Sequence, residues 1–312
     1  MEFLVKVNDR FYEISELVTK VTYTDKLNDG CSKLEFSYIN DDLIIENGSA
    51  VRFKYNNTNI FNGIVFKVSR DDKSEINITA YDQLRYCKAK DTIVANKDTI
   101  ATLVNKMCNY FNLRKGTVEN TGYKLATSVQ SDKTWLDIIY TAISDTLISK
   151  GKKYVLRDEF GLITLRNLEN LKTNLILGDK RLCYGYSYEK SIDDEFYNQI
   201  KIYIKGDDSN SSQMVDAKDD FSIKKYGLLQ YFEAVDKDTN SAQAKSKADM
   251  LLKLYNREYE TLNLECLGDA SIRAGSSFYV YIKDIDISKR LIVKQVTHTF
   301  LPNHTMKLEV VI

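Results

Sequence analysis

The chain has 312 residues, of which 43% are hydrophobic and 28% charged, with Lys+Arg and Asp+Glu balanced at 44 each. That length exceeds one ordinary core and predicts two or three domains. The charge balance removes the net positive field that drives sequence-independent phosphate binding, and no apolar run approaches the roughly 18–20 residues of a membrane helix, so neither sequence-specific nucleic acid binding nor membrane insertion is expected.

The N-terminus, MEFLVKVNDRFYEI, alternates apolar and polar residues and reads as a first strand; it lacks the basic start and continuous apolar stretch of a secretory signal. Period-2 alternation continues in Leu34/Phe36/Tyr38, Val51/Phe53/Tyr55, Ile64/Phe66/Val68 and Ile76/Ile78/Ala80, which predicts a β domain over residues 1–87. The period then changes. Ile100, Leu103, Val104, Met107, Cys108 and Phe111 share one helical face behind Asp98 as N-cap, and a second helix carries Trp135, Ile138, Ile139, Ala142, Ile143 and Leu147, entered after Ser131-Asp132 and closed by Gly151. A hairpin follows, in which YVLR and LITLR flank a turn closed by Gly161. Residues 88–175 are therefore expected to form a small α/β insert, with the Trp135 helix packed on the 154–166 hairpin and Trp135 as a core anchor.

Alternation returns in Ile200/Ile202/Ile204, Leu262/Leu264/Cys266, Phe278/Val280/Ile282 and Met306/Leu308/Val310, predicting a second β domain over 176–312 with an inserted helix at about 241–257. The aperiodic stretch Gly206–Asp220 reads as an exposed loop. The fold class expected is α+β, predominantly β: two antiparallel β-barrel or sandwich domains separated by the insert.

The two β regions share an internal repeat. Ile45–Phe53 lies over Ile272–Val280 at a constant offset of 227 residues, matching Gly48 to Gly275, Val51 to Phe278 and Phe53 to Val280. The same offset matches Ile64-Val65 to Leu291-Ile292, and a slip of one residue matches Leu34 and Phe36 to Leu262 and Leu264, and Ile78 to Met306. Each half would use one β unit in which a Gly-Ser turn launches a core strand.

Catalytic signatures are absent: there is no G-x-S-x-G, P-loop, H-E-x-x-H or G-x-G-x-x-G. His298 and His304 have no further His or Cys at ligand spacing and read as strand histidines. Cys31, Cys87, Cys108, Cys183 and Cys266 are odd in number without a C-x-x-C pair, which fits reduced thiols and neither disulfides nor zinc. The acidic runs Asp71-Asp72, Asp193-Asp194-Glu195 and Asp284-x-Asp286 could supply a carboxylate pair, but their turn-like flanks favour solvated loops. No catalytic, cofactor or metal residue is assigned, and the chain is not expected to be an enzyme.

The runs AYDQLRY (80–86), WLDII (135–139), the Tyr154–Leu165 hairpin, NQIKI (198–202) and YGLLQY (226–231) resemble the XkdQ/YqbQ group of phage-like tail proteins from Gram-positive bacteria. That group is similar in role to the hub of contractile-tail baseplates and to the hub portions of late-control and type VI spike proteins. The resemblance implies a virion structural protein: a homotrimer contributing two tube-like β domains per chain, in an infectious phage or a bacteriocin-like contractile injection particle assembled in the host cytoplasm. Two units in each of three chains would make a pseudo-sixfold ring beneath a sixfold tail tube or tube-initiator protein and above a threefold central spike. The insert would project outward to surrounding baseplate proteins, and the central opening could hold DNA, a tape-measure protein or nothing. The competing readings are a tail-associated peptidoglycan hydrolase and a monomeric carbohydrate-binding β module.

Overall fold

The computed structural model describes residues 1–39, 43–70, 72, 75–179, 181–193, 195–206 and 212–312. The first β region contains β1 (Glu2–Val7), β2 (Arg10–Glu13), β3 (Val18–Lys26), β4 (Lys33–Tyr38), β5 (Ala50–Tyr55), β6 (Thr58–Arg70) and β7 (Ile76–Tyr81). They pair antiparallel in the order β3-β4-β7-β6-β5-β1-β2. Two tight hairpins use side chains that tolerate the left-handed region, Asn8-Asp9 between β1 and β2 and Asn56-Asn57 between β5 and β6, all with positive φ. Alternation sends Phe3, Val21, Leu34, Phe36, Val51 and Phe53 to one face, where all are buried and the Phe3 and Phe36 ring centres lie 4.5 Å apart.

A 3-10 turn capped by Asp82 leads to β8 (Lys90–Ala95), α1 (Ile100–Tyr110), β9 (Lys115–Val118), β10 (Ser128–Thr134), α2 (Trp135–Lys150), β11 (Tyr154–Asp158) and β12 (Ile163–Asn167). The apolar faces of α1 and α2 and the β11–β12 hairpin share one core, with Trp135 only 5% exposed. Gly151 caps α2 in the left-handed conformation. The N-terminal caps differ from the expectation. Thr99 caps α1 while Asp98, one residue earlier, accepts from Thr102 Oγ1 and Lys106 Nζ; Thr134 caps α2 by exchanging bonds with Asp137. In both cases a β-region residue next to the first turn reaches the N3 amide, which a residue further upstream cannot.

The remainder contains β13 (Lys172–Gly178), β14 (Cys183–Ser191), β15 (Gln199–Ile204), β16 (Gln213–Lys218), α3 (Asp220–Tyr226), β17 (Gln230–Val235), α4 (Ser241–Tyr255), β18 (Tyr259–Leu267), β19 (Ser277–Ile282), β20 (Ile287–Thr299) and β21 (Thr305–Val311). One long sheet runs β14-β18-β21-β20-β3-β4-β7-β6-β5-β1-β2, with β19 also on β20 and β13 on β19. The fold is α+β and predominantly β, although β9–β12, β13–β19 and β15–β17 pair in parallel.

Two features depart from a single β domain over 176–312. The chain divides into one compact unit of residues 1–187 and 262–311 and another of residues 188–261 with 312. In the second unit Ile200, Ile202 and Ile204 belong to a separate sheet, β16-β15-β17, with Ala244, Ala248 and Leu251 of α4 buried in the same unit. Asn198 ties this unit's turns, donating to the Gly227 carbonyl at 2.7 Å and accepting from the Leu229 amide at 2.9 Å. Alternation reveals which residues share a face, not which sheet they join. The expected loop Gly206–Asp220 also holds a strand: β16 pairs with β15 along its whole length and buries Ala217. Its other side chains are mostly exposed, which is why its sequence looks like a loop.

Candidate functional site

The Gly48 and Gly275 turns carry the same hydrogen bonds. Gly48 N–H donates to the Val65 carbonyl (2.8 Å), Val65 N–H to Ser49 (2.9 Å), Ser49 N–H to Glu46 (3.1 Å), and Glu46 N–H to Ser49 Oγ (3.3 Å). Gly275 N–H donates to the Val293 carbonyl (2.9 Å), Val293 N–H to Ser276 (2.9 Å), Ser276 N–H to Arg273 (3.0 Å), and Arg273 N–H to Ser276 Oγ (3.2 Å). Both glycines have positive φ, 93° and 86°. Val51 and Phe53 leave the first turn on β5, Phe278 and Val280 leave the second on β19, and all four are fully buried.

Strand order recurs too. The first sheet runs β3-β4-β7-β6-β5 and the second β14-β18-β21-β20-β19; beyond these, β1 pairs antiparallel with β5 whereas β13 pairs parallel with β19. A β-bulge interrupts the β6–β7 pairing between Val65 and Lys67, and another interrupts β20–β21 between Val293 and Gln295. The register corrects two expected matches: Val65 and Val293 accept the same turn bond, so Ile64-Val65 aligns with Ile292-Val293 rather than Leu291-Ile292, and Val68 faces Ile78 while Val296 faces Leu308, so Ile78 aligns with Leu308 rather than Met306. Both connections have five residues, 71–75 and 300–304, but β20 and β21 pair for one residue pair more, Thr299 with Thr305, which adds two residues between equivalent positions, and a slip of two keeps the same face. The sheet face away from the core is polar in both halves. Lys20, Thr22, Glu35, Ser37, Asn77 and Thr79 line a groove on the first; Gly185, Ser187, Asn263, Glu265, Lys307 and Glu309 line one on the second.

Strands β3 and β20 join the two sheets, pairing antiparallel from Gln295 opposite Lys26 to Thr299 opposite Thr22. Beside this joint lies a buried polar cluster. Arg273 Nε donates to Asp25 Oδ2 at 2.9 Å and its Nη1 to the Asp158 carbonyl at 2.7 Å. Asp82 Oδ2 accepts from Ser32 N–H and Oγ–H, while Asp158 Oδ2 accepts from the Gln83 backbone and side chain. Burial, with Asp158 nearby, pushes the Asp82 carboxyl up, and burial pushes Asp158 up as well, so this pair retains a proton far above the ordinary carboxylate range. The cluster links three parts of the sequence and holds them in register. No spacing rule brings Asp25 and Arg273 together.

Of the two histidines expected in strands, His298 lies on β20 and His304 in the connection that follows it, and the two meet. His298 Nε2 lies 2.9 Å from the Ile272 carbonyl, which can only accept, so Nε2 carries the proton and Nδ1 accepts from His304 Nε2–H at 3.1 Å. Desolvation pulls His298 down to about 4. Among the described residues no three His, Cys, Asp or Glu side chains gather as a metal site. Cys87, Cys108 and Cys266 are buried, Cys31 and Cys183 partly so, and all five thiols are free. A hydrogen bond with Cys266 pulls Cys183 down to about 7. Of the acidic runs, Asp71 and Asp194 lie outside the described residues; Asp284 pairs with Tyr186, and Asp286 ends a short turn with positive φ. No helix is long and apolar enough to cross a membrane among the described residues.

A family model described as YQBQ-like matches residues 21–311. The chain belongs to the YQBQ-like family. Similar to it is the phage-like element PBSX protein XkdQ of Bacillus subtilis (strain 168), 29% identical over 271 residues that cover 86% of this chain and 82% of the relative. Among solved structures, the 43 kDa tail protein of prophage MuSo2 from Shewanella oneidensis superposes with a TM-score of 0.73 at 13% identity, covering 99% and 98% of the two chains. The E. coli c3393 protein, described as a type VI secretion component with structural similarity to the T4 tail proteins gp27 and gp5, superposes with a TM-score of 0.56 at 10% identity, covering 94% and 73%. This YQBQ-like chain therefore has the fold of phage tail proteins.

Proposed function

We propose that this YQBQ-like protein is a structural hub of a phage or phage-tail-like baseplate: a homotrimer whose two tube-like β units per chain, about 1–87 and 176–312 with 188–261 set apart, form a pseudo-sixfold ring between tail tube and central spike. The observation that carries the reading is the five-strand order that occurs twice in one chain, with the same Gly-Ser turn and the same bulge in each copy. Gly48, Val51 and Phe53 are then the counterparts of Gly275, Phe278 and Val280. Two like units joined side by side through β3 and β20 form one third of a ring, and head-to-tail repetition closes it. The matched polar grooves give six similar walls a hydrated lining, with lysine and glutamate on each. The insert, 88–175, occurs once per chain; three copies on the outside would reduce sixfold symmetry to threefold and offer docking surface to neighbouring baseplate proteins.

Sedimentation of the purified protein, followed by electron-microscopic averaging down the particle axis, tests this. The expected result is a trimer with a sixfold-modulated inner ring and three outer lobes. A chain that stays monomeric at high concentration and with its tail partners present overturns the hub.

A further inference from the structure

The joint inside the chain also specifies the joint between chains. Strand β20 is covered on both sides over Gln295–Thr299, by β21 on one side and β3 on the other. Its counterpart β6 has β7 alongside Lys67–Arg70, but its pairing with β5 ends where Ala50 faces Ile64, so the opposite edge of Lys67–Arg70 pairs with no strand among the described residues. The counterpart of β3 is β14, which ends the sheet path and, among the described residues, pairs with no strand but β18. One chain therefore carries both halves of a second joint, β14 at the end of the sheet path and the uncovered stretch of β6 seven strands along it.

Exposure follows the same contrast. Val296 is fully buried at the closed joint, whereas Val68, in the same place on β6, is only partly covered. Val21 and Tyr23 of β3 are 0% and 2% exposed. On β14, Ser187 meets Asn263 and Gly185 lies against Glu265 on the polar face, which turns Tyr184 and Tyr186 to the face that Leu262 and Leu264 bury. Those tyrosines are 59% and 38% exposed. An unpaired strand edge with an uncovered aromatic row on its core side is the half-site for strand addition.

Resting on the ring reading, we propose that neighbouring copies join by strand addition, β14 of one copy pairing antiparallel with Lys67–Arg70 of β6 in the next. The partner is a second copy of this chain, because the occupant that fits each edge is supplied by the internal repeat itself. The register follows from the bulges. The β3–β4 pairing shifts between Val18 and Lys20, and β14–β18 shifts at the matching place: Leu267 N–H donates to the Leu182 carbonyl, while Gly185 lies against Glu265. Val21 faces Phe36, and Tyr186 takes the place of Val21, which makes Tyr188, two residues on, the counterpart of Tyr23. Across the new joint Arg70 then faces Tyr188, as His298 faces and stacks on Tyr23 at 6.3 Å, and the guanidinium can lie over the ring. Ser69 faces Glu189, as Thr297 faces Thr24. The edges differ from one another, so the contact is head-to-tail and repeats until the ring closes.

Cysteine pairing across this register tests it. The Ser69→Cys/Glu189→Cys double variant, mildly oxidised and run on a non-reducing denaturing gel, should collect as a covalent trimer that dithiothreitol returns to monomer. Each single variant, which keeps the five native cysteines, should not. Lys67→Cys/Glu189→Cys, displaced by two residues or about 7 Å along the strand, should cross-link several-fold less. A non-covalent trimer in which Ser69→Cys/Glu189→Cys stays unlinked overturns the strand joint and leaves the hub reading standing; a chain that is monomeric throughout overturns both. Covalent species that stop at a dimer mean a symmetric contact and also overturn the proposal.

Discussion

The two Gly-Ser turns have one backbone and two surroundings. Glu46, Asn47 and Gly48 are exposed, and a Cβ built on Gly48 meets nothing within 4 Å. At the other turn, Arg273 reaches Asp25 of β3, Arg157 Nη1 donates to the Ala274 carbonyl at 3.4 Å, and Gly275 is buried against Leu168 and Val155 of the insert region. The difference shows how a repeated unit becomes specialised. The hydrogen bonds that shape the turn are kept, and side chains at the same positions acquire the task of fastening the insert and the first sheet to the second.

Breaking the buried ion pair should expose this contrast most. Asp25 is 4% exposed, and Arg273 is its ion-pair partner at 2.9 Å. Truncating Arg273 would leave a buried carboxylate uncompensated, and removal of one partner of such a pair costs about 3–5 kcal/mol. Arg273→Ala should therefore lower stability to chemical denaturation by about that amount, while Glu46→Ala, at the matching exposed position, should change it by less than about 0.5 kcal/mol. Equal effects at the two positions would remove the distinction drawn between the turns.

The strand joint sharpens the same comparison through pH. His298 faces Tyr23, His304 and the Ile272 carbonyl, with Asp25 and Asp269 near enough to raise its affinity for a proton, yet desolvation wins and holds it at about 4. An unfolded histidine titrates near 6.5, so the unfolded chain binds more protons between those values and stability rises with pH. The contribution is complete above pH ~6.5 and is lost as pH falls towards 4, by up to ~3 kcal/mol at about 1.4 kcal/mol per unit. Asp82, pushed up to about 7, acts in the opposite sense, stabilising at low pH and losing that contribution as pH rises through 7. Comparison of wild type with His298→Gln at each pH isolates the histidine: the stability difference between them should narrow as pH falls from 6.5 to 4. A pH-independent difference would mean that His298 titrates normally.

Much of the β architecture was legible because alternation and a Gly-Ser turn are local signals. Gly48 and Gly275 needed only their own neighbours in sequence to be found, and Trp135 announced its core position through helical partners on the same face. What escaped notice was non-local. Ile200, Ile202 and Ile204 alternate as a core strand should, but nothing in that pattern says their sheet lies in the 188–261 unit. The match of Ile78 with Met306 kept the right face and missed by two residues, the period that alternation cannot resolve. The Asp25–Arg273 pair and the His298–His304 contact depend on which strands adjoin and how a hairpin returns, and they leave no spacing signature.

The glycines themselves give the smallest and most direct measure of the two surroundings. Both sit at positive φ, where an L side chain costs roughly 1–2 kcal/mol because Cβ crowds the backbone. Gly48→Ala should show that cost alone, since its Cβ enters open space. At Gly275 the added carbon would lie 3.0 Å from Leu168 Cδ2 and 3.3 Å from Val155 Cγ1, so the insert must also give way, and overpacking of this kind typically adds about 1 kcal/mol or more. Urea denaturation should thus rank Gly275→Ala below Gly48→Ala by about 1 kcal/mol. Trimming the contact with Leu168→Ala in the same chain should shrink that gap, because the strain at φ remains while the steric term is relieved. A Gly48→Ala variant as stable as wild type would mean that the first turn relaxes out of its left-handed conformation, and that the second turn keeps it only because the insert holds it there.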